Sequence, residues 1–182
     1  MKITYSLPLF LTLFRLLVVP PLFIFLIPLS VHNSTLQLFL LMLFTLAALT
    51  DFFDGYFARR WRQESFIGTL LDPFADKVFL TSVIIPLVSI KKIPAYVACI
   101  IILRELWVTA LRESAGLLGK RISVNFIGKL KTCVQLMYVG WIMLSPFMYD
   151  YVVITQALMY VALAITIFSG YEYSRKYILV LQ

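Results

Sequence analysis

Long apolar runs separated by short polar connectors dominate the pattern of hydrophobic and polar positions along the chain. Each run approaches the roughly 20 residues that an α-helix needs to cross the hydrocarbon core of a bilayer, and the ten-residue alternation of a membrane β-barrel is not seen. The pattern therefore predicts an all-α, polytopic membrane protein. Its six predicted transmembrane helices cover about 9–29, 36–58, 70–90, 93–111, 127–147 and 151–172.

The composition supports the same class of protein. Hydrophobic residues make up 62% and charged residues 14% of the 182 positions, which lies outside the range of ordinary soluble domains. Lys2 and the apolar run after it resemble a signal peptide, but no small-residue cleavage site follows, so we expect this segment to remain as the first helix. No linker, repeat or change of composition divides the chain, so residues 1–182 are predicted to form a single membrane domain. Cys99 and Cys133 stand singly in apolar runs, and we expect them to be buried small hydrophobic residues.

The connectors between the predicted helices differ in charge. Those on one side collect most of the Lys and Arg residues, whereas those on the other side carry only Lys91 and Lys92. Because short loops rich in Lys and Arg are retained on the cytoplasmic side, both chain termini and the site described next are predicted to face the cytoplasm. The net charge of +7 is then explained by contact with anionic headgroups and needs no nucleic-acid partner. His32 falls in a connector on the opposite side and is predicted to be solvated.

Four aspartates interrupt the second and third predicted helices. Asp51 and Asp54 are three residues apart and Asp72 and Asp76 are four apart, so each pair projects from one face of its helix. Carboxylates this close to hydrocarbon are costly unless they face the protein interior or a wet cavity, where they usually have a function. Oxygen ligands without His or Cys suit Mg²⁺ or Mn²⁺ better than Zn²⁺ or copper. Paired divalent ions are a common device for displacement at phosphorus, so the pattern favours phosphate chemistry.

Residues beside the aspartates also favour a phosphate ligand. Gly55 follows Asp54, and Gly68 lies where we expect the chain to turn back before the third helix, so each would permit close approach of the backbone to a ligand. Ala58 leaves room on the same helix face, although helix packing alone would also explain it. Arg59 has the planar fork that pairs with a phosphate or a carboxylate.

Residues 51–76 read D-x2-D-G-x2-A-R-x8-G-x3-D-x3-D, and all eight fixed positions resemble the signature of the CDP-alcohol phosphotransferases. That family has six transmembrane helices, usually as a homodimer, and uses one alcohol to displace CMP from another, CDP-linked alcohol. The resemblance implies that Asp51, Asp54 and Asp72 hold two Mg²⁺ or Mn²⁺ ions. Asp76 would be the catalytic base and a further metal ligand, unless the cation itself activates the attacking hydroxyl. The residues that the resemblance assigns to the CDP-lipid are Thr12, Arg15, Gly55, Ala58, Arg59, Ser65 and Gly68.

Flanking segments extend the resemblance over most of the chain. The segments "LPLFLTLFRLLVVPP", "ILRELWVTALRESAG" and "IGKLKTCVQ" are similar to the phosphatidylglycerophosphate synthases within this family. This similarity implies CDP-diacylglycerol and sn-glycerol 3-phosphate as substrates. One position departs from the family pattern, because Leu9 follows Pro8 where Asn is common, and any nucleotide contact made by that Asn is missing here.

An anionic acceptor requires basic partners, and four basic residues lie in or near the fourth and fifth predicted helices. They are Arg104, Arg112, Lys129 and Lys131. The alternative is structural: Arg104 pairs with Glu105 or Asp76, and the lysines extend to lipid headgroups. Lys77 either binds phosphate or balances the charge of Asp76.

Two other functions fit parts of the pattern. The same chemistry with inositol phosphate, serine or phosphatidylglycerol as the acceptor would use the same aspartates. A cation transporter would also place acids in a membrane, but here the acids lie at one predicted membrane boundary and not at the midplane, and no inverted repeat appears. The sequence thus favours a phosphatidyltransferase of the cell inner (cytoplasmic) membrane, with its active site facing the cytoplasm.

Overall fold

A computed structural model of the chain consists of helices and the short turns between them over the residues that it describes. Its backbone is described for residues 7–26, 34–61, 66–120, 126–147 and 152–181, and its side chains for 13–26, 35–50, 74–120, 126–145, 147 and 152–179. The helices are α1 (Leu7–Leu26), α2 (Ser34–Trp61), α3 (Phe66–Ser89), α4 (Ala95–Leu117), α5 (Phe126–Leu144) and α6 (Val152–Leu181), with a 3-10 turn at Ser145–Phe147. Within these ranges there is no strand. The prediction of an all-α chain with six helices is confirmed.

The first compact unit, Met1–Lys92, contains α1, α2 and α3. Helix α1 packs against both of the others. Its buried face follows the helical repeat and consists of Arg15, Val18, Leu22 and Leu26. Phe44 of α2 stacks on Phe79 of α3, with ring centroids 5.5 Å apart and ring planes 15° from parallel. One charged residue therefore lies within an otherwise apolar face of α1.

The second compact unit, Ile93–Gln182, contains α4, α5 and α6. Helix α6 packs against the other two and buries a stripe of residues with mostly small or polar side chains. The stripe is Met159, Ala162, Thr166, Ser169 and Tyr173. Small and hydroxyl-bearing residues allow close approach and hydrogen bonding between helices in an apolar medium. Gln135 of α5 donates from Nε2 to Thr166 Oγ1 at 2.8 Å, and Trp107 of α4 donates from Nε1 to Ser174 Oγ at 2.9 Å.

Helix α4 ends in a glycine turn. Gly119 has a φ of 71°, in the left-handed region that glycine adopts without a Cβ penalty. The backbone N–H of Lys120 then donates to Ala115 O at 3.0 Å and that of Gly119 donates to Gly116 O at 3.0 Å. These bonds satisfy carbonyls that would otherwise lack partners at the helix end.

The outer faces of the helices are apolar. Leu17, Leu103 and Val153 are 74%, 58% and 77% exposed, and many other large hydrophobic side chains are exposed as well. A soluble protein of this size rarely exposes so much apolar surface. Among the described residues, Val152–Leu179 is the one segment whose length and composition alone suffice for crossing a membrane. Shorter apolar segments are found at Leu13–Leu26 and Thr35–Thr50.

Two sequence expectations need correction. Cys99 and Cys133 are free thiols on the exposed faces of α4 and α5, not buried residues. The outer faces of these helices are apolar as well as the inner ones, so hydrophobicity alone did not indicate burial. Gly68 lies inside the first turn of α3, which begins at Phe66, and not at a chain reversal before the helix.

Candidate active site

Asp76 is the one aspartate of the signature whose side chain the structure describes. It lies on α3 and pairs with Arg15 of α1. Arg15 Nη1 donates a hydrogen bond to Asp76 Oδ1. The Arg15 side chain is 2% exposed and that of Asp76 is 48% exposed. A guanidinium in an apolar helix interface is costly without an anionic partner, and Asp76 supplies one. The pair therefore ties the proposed base to α1 while leaving much of its carboxylate accessible.

The remaining aspartates of the signature lie on α2 and α3. Asp51 and Asp54 lie on α2, together with Gly55, Ala58 and Arg59, and Asp72 lies on α3. The side chains of these residues, and those of Thr12 and Gly68, fall outside the described set, as does Ser65 altogether. Among the side chains that are described, no group of three His, Cys, Asp or Glu residues forms a metal-binding cluster. The metal assignment therefore stays a prediction.

A second charged cluster lies in the other unit, where Glu105 of α4 pairs with two cations. Lys131 of α5 donates from Nζ to Glu105 Oε1, and Arg104 Nη1 lies 3.5 Å from the same oxygen. The side chains of Arg104 and Lys131 are only 9% and 6% exposed. The structural alternative for Arg104 is thus correct in naming Glu105 as a partner. Lys131 is buried and does not extend outward as that alternative expected.

The guanidinium of Arg104 has one hydrogen-bonding edge directed away from Glu105. Nε and Nη2 are both buried and have no hydrogen-bond partner among the described residues. In a guanidinium these two nitrogens carry parallel N–H bonds on the same side, which is the geometry that binds two oxygens of a carboxylate or phosphate. Arg104 therefore has a free two-donor edge, whereas its third nitrogen faces a carboxylate.

Tyr173 of α6 completes the surroundings of Arg104. The Arg104 Cζ atom lies 5.5 Å from the centroid of the Tyr173 ring. A Cβ atom at Gly128 would lie 3.0 Å from the Tyr173 hydroxyl, and one at Gly170 would lie 3.3 Å from Arg104 Cγ. The two glycines therefore make the space in which the guanidinium and the ring meet.

The other predicted acceptor residues are placed differently. Arg112 and Lys129 are exposed on α4 and α5, and neither forms an ion pair with any residue whose side chain is described. Of the four predicted cations, the structure brings Arg104 and Lys131 together through Glu105. Sequence reasoning gave Glu105 only a structural role and missed Tyr173, whose only signal is its position three residues after Gly170, near the end of an apolar helix.

The chain belongs to the CDP-alcohol phosphatidyltransferase family, whose model matches residues 5–168. Among individual relatives, it is 39% identical over 175 residues to the CDP-diacylglycerol–glycerol-3-phosphate 3-phosphatidyltransferase of Shigella flexneri serotype 5b, and the match covers 93% of each chain. The enzymes of the same name from Escherichia coli K12 and Salmonella typhimurium LT2 are 38% and 36% identical, again over 93% of each chain. The match includes both compact units, and the family resemblance predicted from the signature is confirmed.

Proposed function

We propose that this protein transfers the phosphatidyl group of CDP-diacylglycerol to sn-glycerol 3-phosphate, giving phosphatidylglycerol phosphate and CMP. The observation that carries the proposal is the 36–39% identity, over 93% of both chains, to enzymes named for this reaction. A match of this extent includes α4, α5 and α6 as well as the aspartate signature. The match therefore supports the assignment of the acceptor alcohol as well as that of the CDP-linked donor.

The same proposal includes a membrane location. All six helices span the bilayer as one domain of residues 1–182, with both termini and the active site facing the cytoplasm, in the inner membrane of a bacterial cell and as a homodimer. In support, the outer helix faces are apolar, and Val152–Leu179 is long and apolar enough to span. The Lys and Arg residues of the connectors have the distribution of cytoplasmic loops. In this setting the acyl chains of the CDP-lipid stay in the bilayer.

Members of this family are generally metal-dependent. The donor set of this chain fits Mg²⁺ or Mn²⁺, because Asp51 and Asp54 of α2 and Asp72 and Asp76 of α3 offer only hard oxygen ligands. We propose that these four residues hold two ions. When bound, the ions supply positive charge that stabilises the diphosphate and the departing CMP.

Residues of the chain itself accept the proton and bind the substrates. The Asp76 carboxylate takes the proton from the 1-hydroxyl of glycerol 3-phosphate as that oxygen attacks the β-phosphorus, and the bond to the CMP oxygen breaks. Arg15, bonded to Asp76, holds this carboxylate in place. Residues Thr12, Arg15, Gly55, Ala58, Arg59, Ser65 and Gly68 contact the CDP-lipid.

The acceptor phosphate binds to basic residues of α4 and α5. Arg104 offers its Nε–Nη2 edge, and Lys131, buried beside the shared carboxylate of Glu105, adds positive charge. Arg112 and Lys129, both exposed, contribute from the periphery. A doubly charged phosphate requires several such partners, and this requirement distinguishes glycerol 3-phosphate from a neutral alcohol.

The test uses the purified protein in detergent or nanodiscs with CDP-diacylglycerol and one alcohol at a time. We expect CMP release with sn-glycerol 3-phosphate, and much less with serine, inositol phosphate or phosphatidylglycerol. Excess EDTA is expected to stop the reaction, and added Mg²⁺ or Mn²⁺ to restore it. Faster CMP release with another alcohol would overturn the acceptor assignment, and turnover that persists in EDTA would overturn the metal assignment.

A further inference from the structure

We infer that Tyr173 is a positioning residue for the acceptor: its ring face holds the Arg104 guanidinium in place and leaves the Nε–Nη2 edge available to an oxyanion. Tyr173 is 3% exposed, and in this arrangement it acts through Arg104. The inference rests on the proposed function for the identity of the oxyanion, which is the phosphate of the acceptor alcohol.

The first argument concerns how Arg104 is stabilised. Its side chain is 9% exposed, yet two of its three nitrogens have no partner among the described residues. An arginine left this way is costly in an apolar interior, and the single contact to Glu105 at 3.5 Å is long. The Tyr173 ring, 5.5 Å from Cζ, attracts the cation through its electron-rich face. Such a contact stabilises the charge without using either N–H group of the free edge.

The second argument is that a different partner of Arg104 would occupy its Nε–Nη2 edge and exclude a ligand. A further carboxylate at Arg104 would pair with the Nε–Nη2 edge, because that edge has the geometry that carboxylates prefer. The Tyr173 ring instead presents its face to Cζ, 5.5 Å from the ring centroid, and this contact uses none of the N–H groups of the free edge. The combination of Glu105 at Nη1 and a ring at the face therefore prepares Arg104 for two-point binding of a ligand.

The third argument is that the surrounding helices are shaped for this stack. Tyr173 is 3% exposed, and its hydroxyl fits over Gly128 of α5, where a Cβ would lie 3.0 Å away. Gly170, one turn earlier on α6, admits Arg104 Cγ. Glycines at both places permit three helices to bring Arg104 and Tyr173 together. A ring that only filled space would not require the second glycine beneath the arginine.

The test varies the ring electrons without changing its shape. Phenylalanine and its mono-, di- and trifluorinated analogues replace Tyr173 in the full-length protein, and KM for sn-glycerol 3-phosphate, KM for CDP-diacylglycerol and kcat are measured for each. Fluorine withdraws charge from the ring face, so the acceptor KM is expected to rise stepwise along the series while the donor KM stays within about twofold. Tyr173→Leu, which removes the ring, is expected to raise the acceptor KM roughly 3- to 30-fold, the range of a cation–π contact.

A matched control is available on the same helix. Tyr171 is 66% exposed, so Tyr171→Leu removes an equal ring and is expected to leave the acceptor KM unchanged. Two outcomes would overturn the inference and leave Tyr173 a packing residue. One is an acceptor KM that is flat across the fluorinated series; the other is a donor KM that rises in parallel with the acceptor KM while thermal stability falls. If the unmodified protein uses another anionic alcohol in place of glycerol 3-phosphate, the proposed function fails, and the KM for that alcohol across the same series decides the inference.

Discussion

Arg15 and Asp76 form an ion pair in which the cation is buried and the carboxylate is half-exposed, with side chains 2% and 48% accessible. The pair joins α1 to α3 within the first unit, at the last aspartate of the family signature. Because the two partners differ in burial, removing one is not equivalent to removing the other. Loss of the carboxylate leaves a charge in an apolar interface, whereas loss of the guanidinium leaves an anion that solvent can reach.

Asp76→Asn is expected to reduce CMP release to the background rate while CDP-diacylglycerol still binds, because the amide retains the shape of the carboxylate and loses its basicity. The same change weakens the contact to Arg15, so the free energy of unfolding should fall by about 1–3 kcal/mol. Turnover, binding of a radiolabelled CDP-lipid and thermal unfolding in detergent measure the three quantities separately.

A second substitution separates the catalytic effect of Asp76 from the structural one. Adding Arg15→Met to Asp76→Asn removes the buried cation and should recover part of the lost stability without any recovery of turnover. Normal turnover in Asp76→Asn would contradict the role of Asp76 as the base. Recovery of activity in the double variant would show that the single variant had failed through misfolding.

Glu105→Gln is expected to raise KM for sn-glycerol 3-phosphate about 3- to 10-fold, with less change in the KM for CDP-diacylglycerol. Glu105 is the shared counter-charge of Arg104 and Lys131, so its neutral analogue leaves two buried cations to repel each other. We expect a loss of about 1–3 kcal/mol in the free energy of unfolding. Lys176→Gln is the control, because the Lys176–Glu172 pair is partly exposed and its removal should cost under about 0.5 kcal/mol. Equal effects of the two substitutions would contradict the organising role of Glu105.

Gly128→Ala is expected to raise the acceptor KM, because the new methyl group would lie 3.0 Å from the Tyr173 hydroxyl and displace the ring from Arg104. The penalty of Gly128→Ala should be smaller when Tyr173 is already replaced by Phe, since the closest contact is then absent. A double-mutant cycle on the acceptor KM measures this coupling, expected at about 0.5–1.5 kcal/mol. Strictly additive effects would show that Gly128 acts elsewhere.

The hydrogen bond between Gln135 of α5 and Thr166 of α6 should respond differently to the loss of its donor and the loss of its acceptor. Thr166→Val removes the acceptor of Gln135 Nε2 and is expected to lower the free energy of unfolding by about 1–2 kcal/mol. Gln135→Leu should be neutral within about 1 kcal/mol, because Gln135 Oε1 is already buried without a partner among the described residues. The Thr166 hydroxyl that remains can turn to a carbonyl one turn earlier. Thermal unfolding in detergent compares the two, and a larger loss for Gln135→Leu would contradict the argument.

The helices were predictable because apolar runs of membrane length leave few alternatives. The ends of the helices were predicted less accurately. Helix α2 continues to Trp61 and α3 begins at Phe66, beyond the predicted limits of 58 and 70. Arg59 and Arg60 lowered the hydropathy at the end of α2, but a helix needs only backbone hydrogen bonds and can extend past the apolar region. Burial was predicted poorly, as Cys99 and Cys133 show, because both the outer and the protein-facing sides of these helices are apolar.

Spacing along one helix carried enough information to predict the family. The aspartates of the signature are of this kind: the family that they indicated is confirmed by the match over residues 5–168, whereas their roles stay predictions. The environment of Arg104 could not be predicted from the sequence, since it depends on Glu105, Tyr173 and two glycines contributed by three helices. Sequence spacing alone does not determine which faces of α4, α5 and α6 meet, and that choice distinguishes a paired arginine from one with a free edge.

Trp107 lies one turn after Arg104 on α4, and its indole is bonded to Ser174, the neighbour of Tyr173. An indole in this position sits beside the proposed acceptor site while its ring faces outward, 57% exposed. Tryptophan emission responds to small changes in the local field, so the protein carries its own fluorescent reporter there. With Trp61 and Trp141 replaced by Phe, a change in Trp107 emission on addition of sn-glycerol 3-phosphate is the expected sign of acceptor binding, independently of whether CMP is released.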